Sequence, residues 1–176
     1  MGFDRLEESL IDLIKEEEAK LGYRKEVVRL YYPLSTLNHF FESDVDSDSM
    51  YKMLEGFSSY TENRLGNVTV TYKGDRFCFK IPKEGVEYIH NNTSPNEFIR
   101  ELVNIVGKHG CTMEEINALF KSFGDIICEY MDNDEFDVLI RFADSTKDKY
   151  FYCFKDEGCH IIYHRFLPED YADFDF

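Results

Sequence analysis

Four acidic residues in the amino-terminal half have the spacing of oxygen ligands for a metal ion: Asp44, Asp46, Asp48 and Glu55. Aspartates at the first, third and fifth positions and a glutamate at the twelfth match the EF-hand calcium loop. The match fails at the sixth position, where Ser49 replaces the required glycine, and at the ninth, which holds a lysine. The alternative is an acidic loop that caps a helix beginning near Ser49, since carboxylates complement the helix dipole.

Two histidines near the carboxyl terminus, His160 and His164, form a second candidate site with Tyr152. Four residues of strand span about 13 Å at roughly 3.3 Å each, too far for one zinc ion with bonds of about 2 Å. The pattern instead predicts a hairpin with the three-residue loop Asp156-Glu157-Gly158. This hairpin would place both histidines on the same sheet face as Tyr152 and form a polar aromatic pocket. No zinc site is predicted there.

Sequence signatures of common enzymes and cofactors are absent. The chain has no glycine-rich nucleotide or phosphate loop, no serine nucleophile elbow and no His-Glu-x-x-His motif. We therefore predict no cofactor and assign no catalytic residue.

The last ten residues alternate acidic and aromatic side chains, a composition typical of a segment that docks on a basic and apolar groove. The candidate partner surface consists of Glu169, Asp170, Tyr171, Asp173 and Phe174. The alternative is that this tail packs on the sheet of its own chain.

A local basic cluster, interleaved with tyrosines, lies near the end of the first predicted helix. It consists of Lys20, Arg24, Lys25 and Arg29. It could hold an anionic ligand, but pairing with the excess carboxylates of the chain is favoured.

The charge balance excludes several classes of partner. The chain has 176 residues with 35 acidic and 20 basic side chains, a net charge of −15. This balance opposes broad binding to nucleic acids or to anionic membranes, which depends on Lys and Arg. A winged-helix interpretation of the carboxy-terminal half fails for the same reason, because its recognition segment, residues 123–134, has four acidic and no basic residues. We predict no nucleic-acid or membrane partner.

The terminus and the cysteines indicate the compartment. The amino-terminal residues contain no apolar signal segment, and five cysteines without a Cys-x-x-Cys pair are typical of reduced thiols. We therefore expect a cytoplasmic protein.

Hydrophobic periodicity predicts an α+β fold in one domain, residues 1–176. Residues 1–65 could form a helical subdomain within it. The amino-terminal third has helical spacing, and residues 24–32 are ambiguous between helix and strand. A β-hairpin follows, with Lys73-Gly74 as its two-residue loop. Two capped helices follow, the second with a capping box of Thr112 and Glu115, and a three-stranded antiparallel meander completes the chain. We expect the helices and sheet to form one mixed layer.

The segment Arg29-Leu30-Tyr31-Tyr32-Pro33-Leu34-Ser35-Thr36-Leu37-Asn38, with the helix before it, resembles an uncharacterised bacterial family classed as a domain of unknown function. That resemblance implies no activity, ligand or site residue.

These observations favour a non-enzymatic, acidic cytoplasmic binding protein that meets a basic protein partner. The carboxy-terminal residues 95–176 hold 18 acidic and 8 basic residues, a net charge of −10, and supply the complementary charge. The alternative is a small-molecule or metal-dependent enzyme with a pocket around the carboxy-terminal hairpin. The oligomeric state is not predicted.

Overall fold

A computed structural model describes residues 2–172 of the chain. Its internal contacts divide the chain into two compact units, Met1–Asn96 (unit 1) and Glu97–Phe176 (unit 2). Each unit combines helices with one antiparallel sheet, so the α+β class is confirmed. The strands form two separate sheets, one in each unit.

Unit 1 packs helices against a three-stranded sheet. Its elements are α1 (Gly2–Leu21), β1 (Val28–Pro33), α2 (Leu34–Phe41), α3 (Ser47–Met53), a 3-10 turn (Leu54–Gly56), α4 (Phe57–Leu65), β2 (Thr69–Lys73), β3 (Arg76–Ile81) and α5 (Lys83–Asn92).

Helix α1 forms because its apolar residues recur every third or fourth position. Leu6, Leu10 and Ile14 are fully buried along one stripe. Gly22 follows the helix with a φ of 71°, a conformation that glycine adopts without steric cost, and its amide donates to the carbonyl of Glu18.

The sheet of unit 1 has the strand order β1-β3-β2. The segment that was ambiguous between helix and strand, residues 24–32, thus contains most of strand β1. Residues 1–65 are therefore not purely helical, because β1 lies among them and pairs with β3. The hairpin loop is Gly74-Asp75, because Lys73 pairs with Arg76 and Tyr72 with Phe77. The predicted register is thus wrong by two residues along β3. A shift of two preserves the faces of a strand, so the apolar pattern could not distinguish the two registers.

Unit 2 packs two helices against a four-stranded antiparallel meander. Its elements are α6 (Glu97–Val106), α7 (Met113–Phe123), β4 (Ile126–Tyr130), β5 (Val138–Phe142), β6 (Phe151–Asp156), β7 (Ile161–Phe166) and the short α8 (Pro168–Ala172). The predicted capping box of α7 is confirmed: Thr112 accepts from the Glu115 amide, and the Glu115 carboxylate accepts from the Thr112 amide.

The three-stranded prediction for this sheet omitted β4, which pairs with β5 from Ile126↔Phe142 to Tyr130↔Val138. Only Ile126, Ile127 and Cys128 give β4 an apolar character, and acidic residues follow at once. The β6–β7 loop also differs from the prediction, because Asp156 pairs with Ile161 and four residues connect the strands instead of three.

Aromatic rings form the core between the helices and the sheet of unit 2. Phe98 of α6 contacts Tyr152 at 5.5 Å between ring centroids, with the rings nearly perpendicular. Phe120 of α7 contacts Phe154 at 5.9 Å in the same edge-to-face manner. Such contacts add to the stabilisation that burial provides. The opposite face of the sheet holds a second cluster around Phe136, Leu139 and Cys153.

Candidate functional site

The acidic loop before α3 is organised as a helix cap. Asp46 is the N-cap residue, and its carboxylate accepts a hydrogen bond of 2.8 Å from the Ser49 amide. The hydrogen bonds from Ser49 lower the pKa of Asp46. Asp48 accepts from the hydroxyl of Tyr72. The loop carboxylates at these two positions thus have protein donors of their own.

Asp44 is exposed in the loop, and Glu55 is exposed in the 3-10 turn that follows α3. Within residues 2–172, no three His, Cys, Asp or Glu side chains are grouped closely enough to hold a metal ion. The calcium interpretation therefore gains no geometric support, and the capping alternative accounts for the loop.

The predicted pocket of Tyr152, His160 and His164 is not assembled. In the β6–β7 pairing, Tyr152 lies opposite Arg165, whereas His164 lies opposite Cys153. Because neighbouring positions on a strand point to opposite faces, Tyr152 and His164 lie on different faces of the sheet. His160 precedes β7 and is exposed in the loop. The expected shared face is wrong because the true loop is one residue longer than predicted.

Tyr152 is instead a core residue with a buried hydroxyl. It is fully buried, and its hydroxyl donates to Asp148 at 2.7 Å. Burial raises the pKa of Tyr152 well above its usual value, with the Asp148 carboxylate adding to the effect. The phenol therefore stays protonated at neutral pH and acts as a hydrogen-bond donor within the core.

The loop that carries His160 contains a chain of three polar side chains. The Cys159 Sγ lies 3.2 Å from Nδ1 of His160, and Nε2 of His160 lies 2.9 Å from a carboxylate oxygen of Glu157. A thiol beside an imidazole that a carboxylate orients is the arrangement that activates a sulfur nucleophile. All three residues are exposed, so this is a feature of the surface.

The tail is partly packed on its own sheet. The ring of Tyr171 contacts Phe151 at 5.3 Å and Phe166 at 6.3 Å between centroids. Glu169 is exposed and Asp170 is half-buried. Asp173 and Phe174 lie outside the described residues. The structure thus assigns Tyr171 to packing.

Three members of the predicted basic cluster pair with carboxylates, which confirms the favoured interpretation for them. The pairs are Lys20–Glu16 at 2.7 Å, Lys25–Glu17 at 2.5 Å and Arg24–Glu87 at 3.7 Å. Arg29 differs from the others, because it lies on the outward face of the three-stranded sheet.

An acidic segment that we did not predict spans β4, an edge strand of the sheet in unit 2, and the turn that follows it. Tyr130, the last residue of β4, is 88% exposed. Exposed carboxylates surround it in the sequence, and we define the acidic edge as Asp125, Glu129, Tyr130, Asp132, Asp134 and Glu135. Residues 125–135 hold five acidic residues and no Lys or Arg, and this run is the sequence signal that could have identified the surface.

Among the described residues, one carboxylate of the acidic edge has an ion-pair partner. Glu129 approaches Arg141 at 3.9 Å, at the outer limit of an ion pair. The turn after β4 is fixed by Asn133, whose side-chain oxygen accepts from the amides of Glu135 and Phe136. The carboxylates are thus displayed on an ordered turn next to an edge strand.

No helix within residues 2–172 has both the length and the apolar character needed to cross a membrane.

The fold defines the chain as an α+β protein built on two antiparallel sheets. A family described as "Domain of unknown function, E. rectale Gene description (DUF3877)" matches residues 3–174, and the chain belongs to that family. The resemblance predicted from the sequence, a family without an assigned activity, is therefore confirmed. No curated protein and no solved structure matches the chain.

Proposed function

We propose that the chain is a non-enzymatic bacterial binding protein of the cytoplasm, and that its acidic edge binds a basic protein partner. The observation that carries this proposal is Tyr130, which is 88% exposed on an edge strand among carboxylates. Tyrosine is enriched among the residues that contribute most to binding, because it offers a large, rigid contact area and one polar atom.

The free edge of β4 supplies a second means of recognition. Within residues 2–172, strand β4 has one hydrogen-bonded neighbour, β5. The other edge of β4 offers its peptide groups to an incoming strand, the mode of binding in which a partner extends a sheet. Main-chain hydrogen bonds would then supply affinity, and side chains such as Tyr130 would supply specificity.

The charge of the acidic edge supports a basic partner. Carboxylates at five positions, one of which pairs with Arg141, create a negative field that accelerates encounter with Lys- and Arg-rich surfaces. Charges on an edge strand also oppose pairing with identical edges, so the same residues disfavour self-aggregation.

The tail is a weaker candidate for the same function. Tyr171, its described aromatic residue, already packs against Phe151 and Phe166. A partner would have to displace these contacts before it could use the Tyr171 ring, whereas the ring of Tyr130 is available as it stands.

The proposal is tested by affinity capture from a lysate of the native host with quantitative mass spectrometry. One bait carries Glu129→Gln, Asp132→Asn and Asp134→Asn, and a second carries Tyr130→Ser. We expect both baits to lose a basic protein that the unmodified chain retains, and we expect salt to elute that protein from the unmodified chain.

A matched control removes three charges elsewhere. Glu8, Glu62 and Glu101 are exposed and lie on helices, and their replacement by Gln changes the net charge by the same amount. Equal loss of the basic protein from this control and from the acidic-edge variant would contradict the proposal, because bulk charge would then explain the binding.

A further inference from the structure

The outward face of the sheet in unit 1 concentrates positive charge in an acidic protein. Phe77 and Phe79 of β3 are fully buried, so the alternating residues Arg76 and Lys80 lie on the opposite face. Pairing places Arg29 of β1 and Lys73 of β2 on that same face. We define the basic face as Arg29, Tyr31, Thr71, Lys73, Arg76 and Lys80. No strand position on this face holds a carboxylate.

The four cations form two like-charged pairs directly across neighbouring strands. Arg29 lies opposite Lys80, and Lys73 lies opposite Arg76. Side chains in such positions are about 5 Å apart at Cβ, and like charges there destabilise a sheet. In the part of the chain that the structure describes, none of the four has a carboxylate within ion-pair distance. Asp75 in the adjacent loop accepts instead from the Ser47 hydroxyl.

The uncompensated charge is notable because the chain has 35 acidic residues to neutralise it. Two nearby cations outside the face do have carboxylate partners: Arg24 pairs with Glu87, and Lys83 pairs with Glu26. The four cations of the basic face repel one another, and a bound anion would offset that repulsion.

An exposed aromatic ring lies between the two pairs. Tyr31 is opposite Cys78, midway between Arg76 and Lys80 on β3, and is 52% exposed. The Arg76 guanidinium lies 5.0 Å from the centre of the Tyr31 ring. A flat ring and a planar guanidinium form a platform on which a base can stack.

We propose that the basic face binds single-stranded nucleic acid. The two cation pairs hold phosphates at its two ends, and Tyr31 stacks a base between them. The pairs are four residues apart along β3, about 13 Å, so a chain of regularly spaced phosphates can reach both. Arginine matches phosphate oxygens with two parallel hydrogen bonds, and Thr71 adds a neutral donor.

The net charge of the chain led us to predict no nucleic-acid partner, and a local cation cluster limits that prediction to broad binding. Charges further than a Debye length, about 8 Å at physiological salt, are largely screened. A local cluster of four cations can therefore bind phosphates despite the net charge of −15, although it cannot bind nucleic acid broadly. The basic face is independent of the acidic edge, since different residues carry it.

Fluorescence anisotropy with a labelled 12-nucleotide oligo-U RNA tests the proposal over a salt series. Four phosphate contacts predict a slope of roughly −2.8 in a plot of log K against log salt, or about 50-fold weaker binding at 200 mM than at 50 mM salt. Arg76→Gln with Lys80→Gln should halve that slope. Tyr31→Ser should weaken binding about tenfold and leave the slope unchanged, because stacking is not ionic.

The matched control is Arg24→Gln with Lys83→Gln, which removes two exposed cations that pair with carboxylates outside the face. Circular dichroism checks that each variant is folded. The control should retain the slope and the affinity of the unmodified chain. No binding of the RNA at low salt, an equal loss in the control, or displacement of the RNA by polyglutamate of the same charge would overturn the proposal; the last result would indicate an acidic protein as the ligand.

Discussion

Glu7 shows at the scale of a single residue how this acidic chain tolerates a buried carboxylate. The residue is only 3% exposed, and one carboxylate oxygen pairs with Arg64 at 2.8 Å. The other oxygen has no hydrogen-bond partner among the residues that the structure describes. Burial raises the pKa of Glu7, and the nearby Arg64 offsets this effect only in part. The ionised form therefore costs the folded state free energy at neutral pH.

We predict that Glu7→Gln raises the melting temperature at pH 7. Because the folded pKa exceeds the ordinary value of 4.5, the penalty for ionisation is present at neutral pH and is relieved as the pH falls through the raised pKa. The increase in melting temperature caused by Glu7→Gln should thus shrink as the pH falls and vanish below pH 4.5. Thermal unfolding across this range measures it, with exposed Glu8→Gln as the control. A loss of stability at pH 7 larger than that of the control would contradict the prediction.

Cys159 is expected to react faster with thiol reagents than Cys128, which is also exposed. The Cys159 Sγ lies 3.2 Å from Nδ1 of His160, a neighbour that can activate a thiol, whereas partial burial raises the pKa of Cys128. His160→Gln should slow Cys159 several-fold and leave Cys128 unchanged. Rates with Ellman's reagent on single-cysteine variants give the comparison. Equal rates at Cys159 with and without the imidazole would show that the contact has no chemical effect.

Local signals made several elements predictable, and long-range pairing explains the ones that were not. The capping box of α7 depends on Thr112 and Glu115, three residues apart, so the sequence contains all of its determinants. Two registers of β2 against β3, two residues apart, place the same side chains on each face of the sheet. The structure has the one with Gly74-Asp75 as the loop, and the alternating pattern alone does not select it. Strand β4 is short, and its pairing with β5 stabilises it more than its own composition does.

The candidate sites were also hard to predict because they depend on long-range strand pairing. The pocket of Tyr152 and His164 required a loop length that the alternating pattern does not fix. The basic face gathers side chains from three strands, of which β1 was ambiguous in the sequence. The acidic edge was visible as a run of like charge, but its exposure depends on the end position of β4 in the sheet.

At the scale of an element, the cap of α3 explains the acidic loop without calcium. Asp46→Ala should lower the melting temperature by about 2–4 °C, because the Ser49 amide loses its acceptor. Asp46→Asn should be nearly neutral, since asparagine caps helices as well as aspartate does. Melting curves with calcium and with a chelator should coincide for the unmodified chain. A stabilisation by calcium that Asp44→Ala abolishes would revive the metal interpretation.

The aromatic core of unit 2 is expected to depend on Phe120. The ring is fully buried and contacts Phe98, Tyr152 and Phe154. Phe120→Ala should reduce the free energy of unfolding by about 3–5 kcal/mol, the usual cost of removing a buried ring. Phe123→Ala on the same helix removes a ring that is 38% exposed and should cost less than half as much. Denaturant unfolding compares them, and equal losses would contradict the proposed core.

The whole molecule uses its charge unevenly. Its net of −15 includes an acidic edge without Lys or Arg in unit 2 and a basic face without a carboxylate in unit 1. The acidic edge favours a basic partner and the basic face favours an anionic one. The net charge of the whole chain therefore does not reveal either preference. The cytoplasmic binding protein that we propose follows from the first surface, and the nucleic-acid site follows from the second.

Photo-cross-linking in the native host tests the proposed function most directly. A benzophenone analogue of phenylalanine replaces Tyr130 of the acidic edge in one strain and Tyr23, 61% exposed in unit 1, in the other. We predict that position 130 captures one basic protein in high yield, that position 23 does not, and that added salt in a lysate abolishes the product. Capture of the same proteins at both positions, or of an acidic protein at position 130, would contradict the proposed function.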